Sequence, residues 1–235
     1  MIPPSQEFID RFKKCPGAFS VCESIALMNI TSQVPEGGNF IEAGSNAGKS
    51  GMSAAYGLPK GNFYMIDPIF DLENLEAWEH TIQGHPKNLA WEYASQSDFK
   101  ERVKKRILFA SDHKVVPILL GSYSEKELPL HGRYSFVFID SDNHSPERVF
   151  AEINIVAGKM VKGGIIAFHD FGNQYIAPRE AHQYLINTGE YEDVPIDWDL
   201  IFNYVRENEL EEGNNSWHEK GSEEFPKFVG AVKRK

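Results

Sequence analysis

Three stretches of this 235-residue chain concentrate residue types that do chemistry. The first is FIEAGSNAGKS, residues 40 to 50, where an apolar run meets Glu42, then glycines at 44 and 48, then Lys49 and Ser50. Such glycines let the backbone approach a ligand, and a loop that opens a helix aims N–H groups at an anion. Read from Ala43, AGSNAGKS fits a relaxed phosphate loop, with Lys49 reaching phosphates and Ser50 holding magnesium. FVFID, residues 136 to 140, would then supply the second magnesium-holding acid of a P-loop kinase or nucleotide triphosphatase. Read from Glu42, the same residues form the first loop of a nucleoside-binding α/β domain. The second stretch, IDSDNHSPERV at 139 to 149, and the third, KGGIIAFHDFGN at 162 to 173, place Asp140, Asp142, His144, His169 and Asp170 among apolar runs. Carboxylates and imidazoles at that density suit proton transfer or the holding of a divalent cation.

Short apolar runs alternating with helical stretches must position these groups. Strands are expected at NFIEAG, at NFYMID (62 to 67), at VVPILLG (115 to 121), at YSFVFID (134 to 140) and at GGIIAFHD (163 to 170). Pro117 is tolerated in the third only near an edge or a strand start. Val149, Ile153, Val156 and Met160 fall at helical spacing and predict a core-facing helix that begins near Ser145 and Pro146. Continuous apolar strands joined by helices imply a parallel sheet covered on both faces, with ligands beyond the carboxyl ends of the strands. The strands end in Glu42, Asp67, Gly121, Asp140 and Asp170, so five polar or small exits point to one site. Two helices are expected over residues 5 to 33. WDLIFNYV at 198 to 205 and the closing FPKFVGAVKRK predict an antiparallel hairpin on the sheet edge. The chain divides into an N-terminal helical cap, 1–35, and a domain, 36–235, with an insertion at about 68–114.

The balance of 24 basic and 34 acidic residues gives a formal net charge of -10, which a phosphate backbone repels, so nucleic acid is not an expected partner. The basic run KERVKKR, 100 to 106, reads as the solvated face of a helix. Cys15 and Cys22 match no zinc spacing and make no disulfide framework. The start lacks a signal-peptide core and no apolar run approaches spanning length, so no membrane association is expected and a cytoplasmic protein is.

Asp67 decides between the two loop readings. It lies nineteen residues beyond Gly48, where an acid accepts hydrogen bonds from ribose hydroxyls. A bare triphosphate site has no use for it, and Glu42 would repel phosphates. Taken in order, FIEAGSNAG, YMID, ILLGSYSE, FVFIDSD, GGIIAFHD and FVGAVKRK resemble the class I S-adenosylmethionine-dependent methyltransferases. The resemblance implies a Rossmann-like α/β fold: a seven-stranded, mostly parallel sheet with helices on both faces and a C-terminal antiparallel hairpin. It implies S-adenosylmethionine as cofactor, bound by Glu42, Gly44, Ser45, Asn46, Gly48, Asp67, Gly121, Ser122 and Asp140.

Within that family IDSDNHSPERV and KGGIIAFHDFGN are similar to the metal-dependent small-molecule O-methyltransferases of catechol and macrocin type. That likeness implies a divalent metal, magnesium by its oxygen ligands, held by Asp140, His169 and Asp170, and a small hydroxylated acceptor, a sugar or a phenol. A bound cation lowers the pKa of the attacking hydroxyl. The catechol-type pair is acid then amide where this chain has His169 then Asp170, and its lysine base falls on Asn143. Asp142 and His144 are therefore the candidates for general base. Assembly into a homo-oligomer is expected through the N-terminal helices.

Overall fold

The computed structural model describes residues 1–17, 19–71, 96–141, 145–171, 175–210 and 229–235. Strands β1 (Asn39–Ala43), β2 (Gly61–Ile66), β3 (Val115–Leu120), β4 (Tyr134–Ile139), β5 (Met160–His169), β6 (Tyr191–Asp193) and β7 (Val229–Arg234) form one sheet in the order β3-β2-β1-β4-β5-β7-β6. β1 to β5 run parallel, and β7 is antiparallel to both β5 and β6. Helices α1 (Gln6–Lys13), α2 (Val21–Thr31), α3 (Lys49–Gly57), α4 (Phe99–Ala110), α5 (Ser124–Glu127), α6 (Pro146–Val156), α7 (Ala177–Asn187) and α8 (Trp198–Glu207) complete the elements used below. This is the Rossmann-like arrangement expected, and strand order reverses between β1 and β4.

Strand alternation divides the core in two. Phe40, Phe63, Met65, Phe136, Phe138 and Ala167 face α2, α3, α4 and α8, while Ile41, Ile66, Val137, Ile139, Ile166 and Phe168 face α6 and α7. Burying each large side chain contributes about 1.5–3 kcal/mol. α2 is apolar nearly all round and buried on most of its length, so it belongs to the covering layer. It meets α3 at close range: the Ser24 and Ser53 hydroxyls are 2.8 Å apart, and a Cβ on Gly57 would overlap Thr31 and the Met28 carbonyl. α4 lies in the connection from β2 to β3, where a parallel pair requires a crossover.

β3 is an edge strand, which is how Pro117 fits. Ser145 caps α6, accepting from the Arg148 amide at 3.3 Å, with Pro146 in the first turn. Three expectations are corrected. Residues 198–205 are helical: Asp197 accepts from the Leu200 amide, and Trp198, Ile201 and Val205 recur at helical spacing and are buried. The antiparallel partner of β7 is instead β6, and the β7–β6 pair forms the expected antiparallel edge of the sheet, with β6 outermost. Met160 opens β5 after a 3-10 turn at Ala157–Lys159 and does not extend α6. No helix among the described residues is long and apolar enough to cross a membrane.

Candidate active site

The parallel ladder continues one residue past each strand, which brings the exits level. Gly44 N donates to Ile66 O at 2.9 Å, Asp140 N to Ala43 O at 2.9 Å and Asp67 N to Leu120 O at 3.0 Å. From this edge the chain turns into α3 through Gly44 (φ 88), Asn46 (φ 44) and Gly48 (φ 80), all left-handed. A Cβ on Gly44 would overlap the Asp140 carbonyl oxygen, so only glycine lets the β1 and β4 exits lie this close. Asp67 bridges the β2 exit and the loop: Oδ2 accepts the Asn46 amide at 2.7 Å and Oδ1 the Ile69 amide at 2.9 Å. Two amides thus aim its carboxylate at the loop mouth. Gly121 has the same logic, because a Cβ there would overlap Asp71; Ser122 follows it, partly exposed. Ala47 O is held by Arg106 Nη1 at 2.9 Å, so one member of the basic run reaches the glycine loop rather than solvent.

Glu42, Lys49 and Ser50 are turned inward. Glu42 is fully buried, shares the strand face of Phe40, and accepts the Ser50 hydroxyl at 2.6 Å. Burial pushes its carboxyl up to about 8; the Ser50 and Ser45 hydrogen bonds pull it back, and the charges of Asp140 and Asp67 push it further. It is therefore a largely neutral acid at pH 7, and its Oε2 has no hydrogen-bond partner among the described residues. Lys49 Nζ reaches Gly17 O at 3.5 Å and lies 4.6 Å from the Phe12 ring centroid. A phosphate loop needs that amine and that hydroxyl facing its own cradle, and here both face the protein.

The other side of the mouth is built from charged side chains. His169, at the end of β5, points Nδ1 at Asp140 Oδ1 (2.9 Å) and Nε2 at Glu23 Oε1 (3.1 Å), with Asp170 Oδ2 3.7 Å from Nδ1. The imidazole lies 5.3 Å from the Phe19 ring and 6.2 Å from Phe138. Burial pulls His169 toward neutrality, but the charge and hydrogen bond of Asp140, then those of Glu23, outweigh it and hold the imidazolium well above the usual range. Burial likewise pushes Glu23 up, and its contacts with His169 and Ser20 bring it below the usual range. Asp170 is left-handed at φ 51, a conformation that non-glycine residues adopt at a cost of roughly 1–3 kcal/mol. Beneath the mouth, buried Glu152 accepts from Ser141 Oγ at 2.8 Å and from Ser124 Oγ, tying the β4 exit to the segment after β3.

Asp140, His169 and Asp170 are thus brought together as the sequence predicts, yet as a metal set they fit poorly. In this arrangement both ring nitrogens of His169 face carboxylates, Nε2 that of Glu23 and Nδ1 that of Asp140, so neither is turned toward an open cation site. Among the described residues no group of three His, Cys, Asp or Glu is arranged to hold a metal. Asp142 and His144 lie outside the described residues. Glu23 was not anticipated as part of the site. Its sequence signal is the S-x-x-E capping box that begins at Ser20, which announces a helix start and says nothing of a histidine 146 residues away.

The family described as "Methyltransferase domain" matches residues 41–171, from within β1 to the second residue after β5. An O-methyltransferase from Bacillus cereus, solved with S-adenosylhomocysteine, superposes with a TM-score of 0.55 at 12% identity, covering 99% of this chain and 93% of that one. A protein from Corynebacterium glutamicum gives 0.57 at 14% identity over 99% and 91%. TomG of Streptomyces achromogenes, an O-methyltransferase of tomaymycin synthesis solved with S-adenosylmethionine, gives 0.51 at 15% over 83% and 85%. At these identities the likeness is one of fold. No curated protein sequence matches the chain.

Proposed function

The chain belongs to the methyltransferase-domain family, and on that premise we propose that it is an S-adenosylmethionine-dependent O-methyltransferase acting on a small hydroxylated acceptor, a sugar or a phenol. The observation that carries the cofactor assignment is the Asp67 carboxylate, fixed by two amides beside a loop of left-handed residues. Its aim suits ribose hydroxyls, and the loop from Gly44 to Gly48, with Ser45 and Asn46, suits the amino-acid end of the same molecule. Gly121 and Ser122 border the place of the base. Glu42 acts from below, holding the start of α3 through Ser50. The solved neighbours named for O-methyl transfer support the acceptor chemistry by analogy of fold.

When bound, S-adenosylmethionine supplies an electrophilic methyl group. The chain's own task is to orient a hydroxyl and take its proton. Asp140, about a fifth exposed, is held by His169 where the β1 and β4 exits meet, next to the glycine loop. Asp142 and His144, the proposed bases, follow it directly in sequence. No step is routed through a metal, since both ring nitrogens of His169 face carboxylates in this arrangement. The surplus of acidic residues supports a small-molecule acceptor over nucleic acid.

The test is transfer of labelled methyl from S-adenosylmethionine to a panel of catechols, monophenols and sugars, run with and without EDTA. Transfer that survives EDTA is expected. Loss in EDTA, restored by magnesium, returns a metal to the mechanism; no transfer to any acceptor removes the assignment.

A further inference from the structure

We propose that Glu23 of α2 is a positioning residue of the active site: it holds His169 from behind, and His169 in turn fixes Asp140 at the strand exits. The inference rests on the methyltransferase reading above and extends the site beyond residues 41–171, which the family match covers. The three groups form a line of hydrogen bonds, Glu23 Oε1 to His169 Nε2 at 3.1 Å and His169 Nδ1 to Asp140 Oδ1 at 2.9 Å. The far end of the line is anchored as well, since Glu23 Oε2 accepts the Ser20 amide at 2.6 Å.

A capping glutamate does not ordinarily need burial. Glu23 is 3% exposed, and burying a carboxylate costs far more than a helix cap returns. Its burial is accounted for by the two partners it meets there, the His169 ring nitrogen and the Ser20 amide. Phe19, from the same segment, and Phe138 flank the ring, so His169 is confined by two carboxylates and two aromatic faces. Asp140 is the member of the line that reaches the mouth, with 21% of its side chain exposed against 10% for His169 and 4% for Glu23. Order therefore passes from the N-terminal helix outward to the group nearest the acceptor.

The experiment compares wild type with Glu23→Gln, Ser20→Ala, His169→Gln and the Glu23→Gln/His169→Gln double variant. Each is assayed for methyl transfer to an acceptor from the panel, for S-adenosylhomocysteine affinity by calorimetry, and for downfield imidazole N–H resonances by proton NMR. Glu23→Gln should lower kcat by about tenfold or more while the KM for S-adenosylmethionine and the S-adenosylhomocysteine affinity stay within about twofold. The double variant should be no slower than His169→Gln alone, because the two residues act in series. Ser20→Ala, which removes the cap hydroxyl but keeps the amide that anchors Glu23, should lower kcat less than Glu23→Gln does.

Undiminished kcat in Glu23→Gln, equal loss in Ser20→Ala, or multiplied losses in the double variant would overturn the proposal. Should wild type transfer methyl to nothing, the methyltransferase reading fails on its own, and the spectra still decide the positioning. Loss of the Nε2–H resonance in Glu23→Gln, with the Nδ1–H resonance retained, supports it; an unchanged spectrum refutes it.

Discussion

The two sides of the strand-exit mouth are built from different materials. On the β1–β2 side the main chain does the shaping: left-handed residues at 44, 46 and 48, a glycine that admits the Asp140 carbonyl, and amides that aim Asp67. On the β4–β5 side the shaping falls to charged side chains, with His169 between Glu23 and Asp140. A side made of backbone tolerates almost no added atom. A side made of ion pairs depends on every partner being present and charged. The difference suits a constant cofactor facing an acceptor that varies among enzymes of one fold.

Substitutions can break this contrast or sharpen it. The largest effect is expected from Gly44→Ala, which drives a Cβ into the Asp140 carbonyl and so damages both sides at once. Urea unfolding should show a loss above about 4 kcal/mol, the range of severe core disruption. Gly132→Ala, also left-handed but with nothing within 4 Å, should lose only about 1–2 kcal/mol from backbone strain. Similar losses in the two would deny that close approach at the exits matters. Next comes His169→Ala, which leaves Glu23 buried without its cation and should cost about 3–5 kcal/mol. If S-adenosylhomocysteine affinity of the folded variant falls as well, the two sides are not separable.

Glu42 gives a pH test between them. Its folded carboxyl titrates near 8 against 4.5 for the ordinary group, so the folded state binds the extra proton between those values. The stability this confers is complete below pH 4.5 and is lost as pH rises through 8, with a slope of up to ~1.4 kcal/mol per pH unit. Glu42→Gln, a neutral isostere, should remove that slope in urea titrations at pH 5 to 9; an unaltered slope would place the titrating group elsewhere. The smallest change is expected for Asp67→Asn, which keeps the shape of the cofactor side. Calorimetry should find S-adenosylhomocysteine bound about tenfold more weakly, the worth of one charged hydrogen bond, with a stability loss of about 1 kcal/mol because the amide can accept only one of the two backbone N–H groups.

How much of this could be read from the sequence follows the same division. Strands β1 to β4 end within a residue of the expected positions, because continuous apolar runs stop at an acid or glycine, and the loop's glycines mark their own backbone needs. Pro117 allowed an edge strand or a strand start, of which the edge is found, and Ser145 with Pro146 announced a helix start. The β4–β5 side was legible only in part. Asp140, His169 and Asp170 could be seen as a group, but their state depends on Glu23, and the capping box at Ser20 accounts for that glutamate locally without requiring any distant partner. WDLIFNYV misled because its aromatic and β-branched residues favour strands, while the burial of Trp198, Ile201 and Val205 is decided by helical spacing. β6 is three residues long, too short to carry a pattern, and its pairing with β7 is a tertiary choice.

The claim beneath the whole account is that the loop from Gly44 to Gly48, with Asp67, holds a nucleoside-linked amino acid and not a polyphosphate. Titration calorimetry of the wild-type chain with S-adenosylhomocysteine, repeated in the presence of excess magnesium ATP, measures this directly. One-to-one binding of S-adenosylhomocysteine that ATP does not displace is the predicted result. Tight binding of magnesium ATP, lost in Lys49→Ala, with no heat from S-adenosylhomocysteine, would contradict it.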